Sequence, residues 1–175
     1  MKVDLFAIPI FIDQVDLAKI ELSNTEYNPT FLSKISTNYY SAAQLSPESS
    51  DYLSNLIAKH INTTGNYKNA CIKSIWRNLY EATDTQEVHI HSNCQWSFII
   101  YETVEISRTV FLNPAWRSIE AQIGDLSTCF SLSWKPEVSP GTIIIFPSFL
   151  EHYVLSGNEG STIAGNVILE YVEKS

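Results

Sequence analysis

The stretch EVHIHSNCQWSFIIYETVE, residues 87–105, sets two of the chain's four histidines at i and i+2 and follows them with the apolar run WSFIIY. Such alternation has the period of a β-strand, so His89 and His91 project from one face while Val88 and Ile90 project from the other. The polar residues SNCQ interrupt the pattern, and the aromatic and β-branched run beyond them reads as a second, buried strand. By geometry alone, the histidine pair suits either one shared metal ion or a solvent-facing strand.

The same texture runs outward in both directions from residue 67 onward. NACIKSIWRNLYEA precedes the pair, and SRTVFLNP, LSTCFSLSWK, GTIIIFPS, HYVLSG and STIAGNVILEYVE follow it. Turn residues separate these runs at Asn113-Pro114, Gly124-Asp125, Pro140-Gly141 and Asn158-Glu159-Gly160. About eight strands with short connections predict an antiparallel sandwich of the jelly-roll kind.

Toward the N-terminus, SPESSDYLSNLIAKHINTTG (46–65) carries a helix signature. Ser46 can cap it, Pro47 suits its first turn, and Leu53, Leu56, Ile57, His60 and Ile61 form one stripe before Gly65. His60 on that stripe reads as a packed helix-face residue. Residues 21–45 are polar and read mostly as loop. VDLFAIPIFI (3–12) reads as a strand interrupted by Pro9, which favours a sheet edge. One domain over 1–175 is expected, with 1–66 as strand and helical support and 67–175 as β core.

Composition narrows the partners. Of the 175 residues, 45% are hydrophobic and 17% charged, a globular balance. The net charge is −8 and the eleven Lys and Arg are scattered, which excludes a nucleic-acid footprint. No run approaches the roughly 20 apolar residues of a membrane span, and the start lacks a signal-peptide pattern. A cytoplasmic location is expected, or a host cytoplasm if the gene is viral. Cys71, Cys94 and Cys129 form no CxxC pair and read as reduced core thiols, with Cys94 nearest the histidines.

A third histidine changes the weight of the pair. In SPGTIIIFPSFLEHYVLSGN (139–158), His152 follows an apolar strand and a Phe-Pro-Ser turn. An imidazole there could close a facial three-ligand site with open coordination positions, the arrangement of catalytic Zn(II) and non-haem Fe(II) centres.

With these residues in hand, the chain resembles the 2-oxoglutarate and Fe(II)-dependent oxygenase superfamily, in a group of oxygenases related to prolyl hydroxylases. The matching elements are LFAIPI (5–10), Trp76-Arg77-Asn78, His89-Ile90-His91, Ser97 with Tyr101, GTIIIFPSFLEHYV (141–154) and Asn166. The resemblance implies a double-stranded β-helix, jelly-roll and cupin-like, with one or more N-terminal helices. It implies a hydroxylase using Fe(II), 2-oxoglutarate and O2, on a peptide or protein side chain or a small molecule; a homodimer is compatible with it.

Carried over residue by residue, the resemblance makes His89, His91 and His152 the metal ligands, with His91 where most of the superfamily has Asp. Losing that carboxylate leaves a site that also suits Zn or Ni. The superfamily's usual Arg or Lys, which grips the distal carboxylate of 2-oxoglutarate, aligns with Gly160, and no Lys or Arg occurs between Lys135 and Lys174. Arg108 is the expected substitute, with Arg77 a weaker one and Tyr101, Thr162 and Asn166 as neutral donors. Trp96 and Asn78 are expected to wall the substrate pocket. Two other readings compete: a cupin-like metalloenzyme without 2-oxoglutarate, in which Glu102 poses as acidic ligand, and a non-catalytic metal-stabilised module.

Overall fold

Strands β1 (Phe11–Gln14), β2 (Leu22–Ser23), β3 (Asn28–Pro29), β4 (Ser36–Thr37) and β5 (Gln44–Leu45) precede helix α1 (Pro47–Ile61). Strands β6 (Tyr67–Tyr80), β7 (Gln86–His89), β8 (Trp96–Tyr101) and β9 (Thr109–Leu112) lead to helix α2 (Trp116–Gln122). Strands β10 (Ser133–Trp134), β11 (Thr142–Pro147), β12 (His152–Val154) and β13 (Gly160–Tyr171) complete the order. This computed structural model describes residues 7–23, 26–30, 34–65, 67–104, 106–122, 130–157 and 159–171, and for Lys68 the backbone alone.

The strands form a seven-stranded sheet, β1-β11-β8-β13-β6-β4-β3, and a four-stranded sheet, β10-β9-β12-β7, with a small β2-β5 pair. Every pairing is antiparallel. The large sheet is buried on both faces, which is why WSFIIY and TIIIFP read as unbroken apolar runs rather than as alternation. On one face Phe98, Ile100, Ile143, Ile145 and Ile163 pack with Leu53, Ile57 and Ile61 of α1. On the other, Ile99, Tyr101, Ile144, Phe146 and Ala164 pack with Phe111 of the small sheet. Each fully buried Ile or Leu contributes about 1.5–3 kcal/mol of transfer free energy to this sandwich.

Helix α1 forms where its caps and stripe predict. Ser46 Oγ accepts from the Ser49 amide at 3.2 Å, Pro47 opens the helix, and Lys59 and His60 close it. His60 Nε2 lies 2.7 Å from Asp13 Oδ2 and stacks on Phe11, so it fastens the helix to edge strand β1.

Other elements depart from expectation. The first strand begins at Phe11, because Pro9 has no N–H to give a ladder; residues 1–6 lie outside the described residues. Strands β3 and β4, inside the segment read mostly as loop, extend the large sheet beyond β6. Helix α2 has no counterpart in the sequence reading; it follows the Asn113-Pro114 turn, in which Asn113 Oδ1 accepts from the Ala115 amide at 3.0 Å. Among the described residues of LSTCFSLSWK, 130–135, Ser133–Trp134 form strand; 126–129, with Cys129, lie outside the described residues. Cys71 is exposed on β6 rather than in the core, and Cys94 is half-buried. No described helix is long and apolar enough to cross a membrane.

Candidate metal centre

The small sheet delivers the three histidines to one place. His89 ends β7 and pairs in register with His152, which opens β12; Phe111 of β9 flanks His152 on its other side. His91 lies two residues past the end of β7, where its backbone amide donates to the Ser148 carbonyl at 3.0 Å. The turn after β11 therefore fixes the position that a longer strand would have fixed.

Ring centroids lie 4.3 Å apart for His89 and His152, 5.1 Å for His91 and His152, and 5.6 Å for His89 and His91. One ring nitrogen from each falls within 4.8 Å of the other two, and no carboxylate or thiol among the described residues joins the cluster. Phe146, the aromatic residue of FPS, contacts the rings of both His91 and His152 edge-on.

The other ring nitrogens decide what the cluster can do. His89 Nδ1 donates to the Glu87 carbonyl at 2.7 Å, His152 Nδ1 to the Leu150 carbonyl at 3.0 Å, and His91 Nδ1 to Asn166 Oδ1 at 2.6 Å. Carbonyl and amide oxygens only accept, so each imidazole carries its proton on Nδ1 and keeps a lone pair on Nε2. Burial pushes all three pKa values down, His91 to about 4 and His152 well below the ordinary range, and for these two the neighbouring histidines add to the effect. The rings are neutral at pH 7, as metal ligation requires.

Asn166 sits on β13 opposite Ser97 of β8. Its Oδ1 also accepts from Ser97 Oγ, and its Nδ2 donates to Ser74 Oγ at 3.1 Å. Ser97 in turn shares a hydrogen bond with Ser148, to which Cys94 donates. A buried polar chain thus stands behind His91.

Two spaces meet at the histidines. Between the sheets is a cavity of about 30 Å³, lined by Trp76, Asn78, Tyr80, Gln86, Thr109 and Thr162 together with the three imidazoles. Outside it, a groove of about 610 Å³ runs past His89 and His91 and is walled by Tyr39, Tyr40, Trp76, Val88 and Ile90.

Among the residues singled out from sequence, Asn78 and Thr162 line the cavity, and Asn166 borders the groove. Tyr101 is fully buried, its hydroxyl donating to Thr109 Oγ1 at 2.9 Å, and does not line the cavity. Arg108 lies outside: its neighbour Thr109 points inward, so the strand's alternation turns Arg108 away, and its Nε reaches the Gly157 carbonyl at 3.4 Å. Arg77 is held by Glu102 in a two-armed ion pair at 2.7 and 2.8 Å, which also removes Glu102 from the histidine cluster. Trp96 packs against Phe11 on the helix side of the large sheet, and the tryptophan beside the histidines is Trp76, 5.5 Å from His91. Trp76, Asn78 and Tyr80 alternate along β6, so the period of that strand could have revealed Tyr80 from Asn78.

Residues 74–162 match the model of the family described as "Putative 2OG-Fe(II) oxygenase". The chain belongs to this 2-oxoglutarate and Fe(II)-dependent oxygenase family. It is similar in structure to an oxidoreductase of the 2OG-Fe(II) oxygenase family from Burkholderia pseudomallei, at a TM-score of 0.55 and 14% identity over 86% of this chain and 74% of that one. It is also similar to a prolyl-4-hydroxylase from Pseudomonas putida, at a TM-score of 0.51 and 12% identity over 85% of this chain and 79% of the other. At such identities these two likenesses speak for the fold, the double-stranded β-helix. No curated protein matches the chain in sequence. Membership makes the chain an oxidoreductase of the dioxygenase class, and implies Fe(II), 2-oxoglutarate and O2.

The histidine cluster fits the metal: three neutral imidazoles, each with its proton held away, present Nε2 lone pairs within reach of one ion. The cavity fits the cosubstrate less well. No Lys or Arg is among its described lining residues, so the distal carboxylate of 2-oxoglutarate has no charged partner there.

Proposed function

We propose that the chain is a hydroxylase in which His89, His91 and His152 hold Fe(II), a 2-oxo acid serves as cosubstrate, and a side chain of a peptide or protein lies in the groove. The observation that carries this reading is the common tautomer of the three histidines, each set by an acceptor on Nδ1. Bound there, Fe(II) supplies the redox chemistry with O2 that no side chain can.

The chain's own residues supply the rest. Asn166, Leu150 and Glu87 hold the imidazoles in orientation, and Phe146 and Phe111 keep water from the inner side of His152. Three ligands on one side leave the opposite positions to exogenous molecules. Tyr39, Tyr40, Val88 and Ile90 are exposed along the groove, an apolar surface suited to an extended segment. Strand β7 lies at the edge of its sheet, which leaves backbone groups for such a segment to pair with.

The cupin-like reading loses its acidic ligand, since Glu102 is committed to Arg77. The test is a peptide library incubated with Fe(II)-loaded protein, a 2-oxo acid and O2, read by mass spectrometry. The account expects peptides heavier by one oxygen, with the product lost in His152→Ala. Consumption of the 2-oxo acid without any modified peptide or protein points to a small-molecule substrate, and no consumption at all removes the hydroxylase reading.

A further inference from the structure

The cavity behind the histidines is unusual for a place that receives a dianion. Its polar lining is entirely neutral: Asn78, Tyr80, Gln86, Thr109 and Thr162 beside the three neutral imidazoles. Of the nearest cations, Arg77 is taken by Glu102 and Arg108 faces outward to Gly157.

Tyr80 organises the far wall. It is 7% exposed, and its hydroxyl donates to Gln86 Oε1 at 2.7 Å. Burial raises its pKa, so it remains a proton donor throughout the physiological range. Asn78 and Thr162 are direct partners across the β6–β13 ladder, with Tyr80 one step further along the same face. This is a hydrogen-bonding floor without charge. The cavity, about 30 Å³, shares Trp76, Asn78, Gln86, His89 and His91 with the groove.

We propose that this cavity selects its 2-oxo acid by its uncharged lining, so that an acid with a short uncharged tail binds at least as tightly as 2-oxoglutarate. The inference rests on the reading that a 2-oxo acid is the cosubstrate, and refines which. Taking a second carboxylate out of water without a cation forfeits the charge-assisted bonds that would repay its desolvation. An ethyl or methyl tail carries no such penalty.

The experiment is an anaerobic titration of the full-length Fe(II)-loaded protein with 2-oxobutyrate and, separately, with 2-oxoglutarate, reading the visible absorption of the chelate at low and high salt. The expected result is a dissociation constant for 2-oxobutyrate equal to or below that for 2-oxoglutarate, with a weak salt dependence for both. A preference of tenfold or more for 2-oxoglutarate that falls with salt shows a cationic anchor and overturns the proposal. If Fe(II) binds and neither acid forms a chelate, the failure lies with the hydroxylase reading itself, and the inference falls with it.

Discussion

Asn166 Oδ1 lies 2.6 Å from His91 Nδ1 although 75 residues separate them in the chain. The contact joins the last strand of the large sheet to the loop beyond β7, and it fixes the tautomer of the one histidine that no backbone carbonyl holds. Asn166→Ala is expected to weaken Fe(II) binding about 10–100-fold, the usual cost of losing a partner behind a ligand. It should also destabilise the fold by about 1–3 kcal/mol, because Ser74 and Ser97 lose their partner. Chelator competition measures the first and urea unfolding the second; unchanged affinity would mean that His91 needs no orienting.

The buried imidazoles predict an acid-sensitive metal-free protein. Their folded pKa values lie below the unfolded value of about 6.5, with His91 at about 4. Below that unfolded value the unfolded chain binds more protons than the folded one, so the stability that neutral imidazoles confer is fully present above about pH 6.5 and declines as pH falls. Urea unfolding of the metal-free protein between about pH 7.5 and about pH 5 should show this decline, and His152→Asn should flatten it. A wild-type profile already flat across that window contradicts the burial of the cluster.

Arg108→Ala should leave the dissociation constant of 2-oxoglutarate within about twofold of wild type, since the guanidinium faces Gly157 and not the cavity. The sequence reading made Arg108 the expected partner of the distal carboxylate. An increase of tenfold or more in an anaerobic binding titration would return Arg108 to the site.

Arg77 and Glu102 form a two-armed pair whose side chains are 21% and 16% exposed. Arg77→Met leaves the carboxylate largely buried and unpaired, and should cost about 3 kcal/mol in urea unfolding. Glu102→Gln should leave Fe(II) affinity unaltered. Loss of metal in that variant would restore the cupin-like assignment.

Much of this molecule was legible because its patterns are local. The caps and stripe of α1, the i, i+2 spacing of His89 and His91, and the two doubly buried strands each lie within one short segment. What remained hidden depends on which face meets which. Trp96 and Trp76 are equally plausible pocket walls in sequence, but the large sheet is covered on both sides, and only its inner side faces the histidines. Arg108 and Thr109 differ by one position, and that position reverses the face. Helix α2 escaped because its seven residues, Trp116–Gln122, carry too short a pattern to stand out behind the Asn113-Pro114 turn.

The central claim is that three imidazoles hold one Fe(II) with positions open for a chelating 2-oxo acid. An anaerobic titration of Fe(II)-loaded protein with a 2-oxo acid, beside the His152→Ala variant, tests it most directly. A visible charge-transfer band that saturates at one acid per chain in wild type and is absent from the variant is the predicted result. Tight Fe(II) binding with no band from any 2-oxo acid would contradict the account and leave the cluster as a structural metal site.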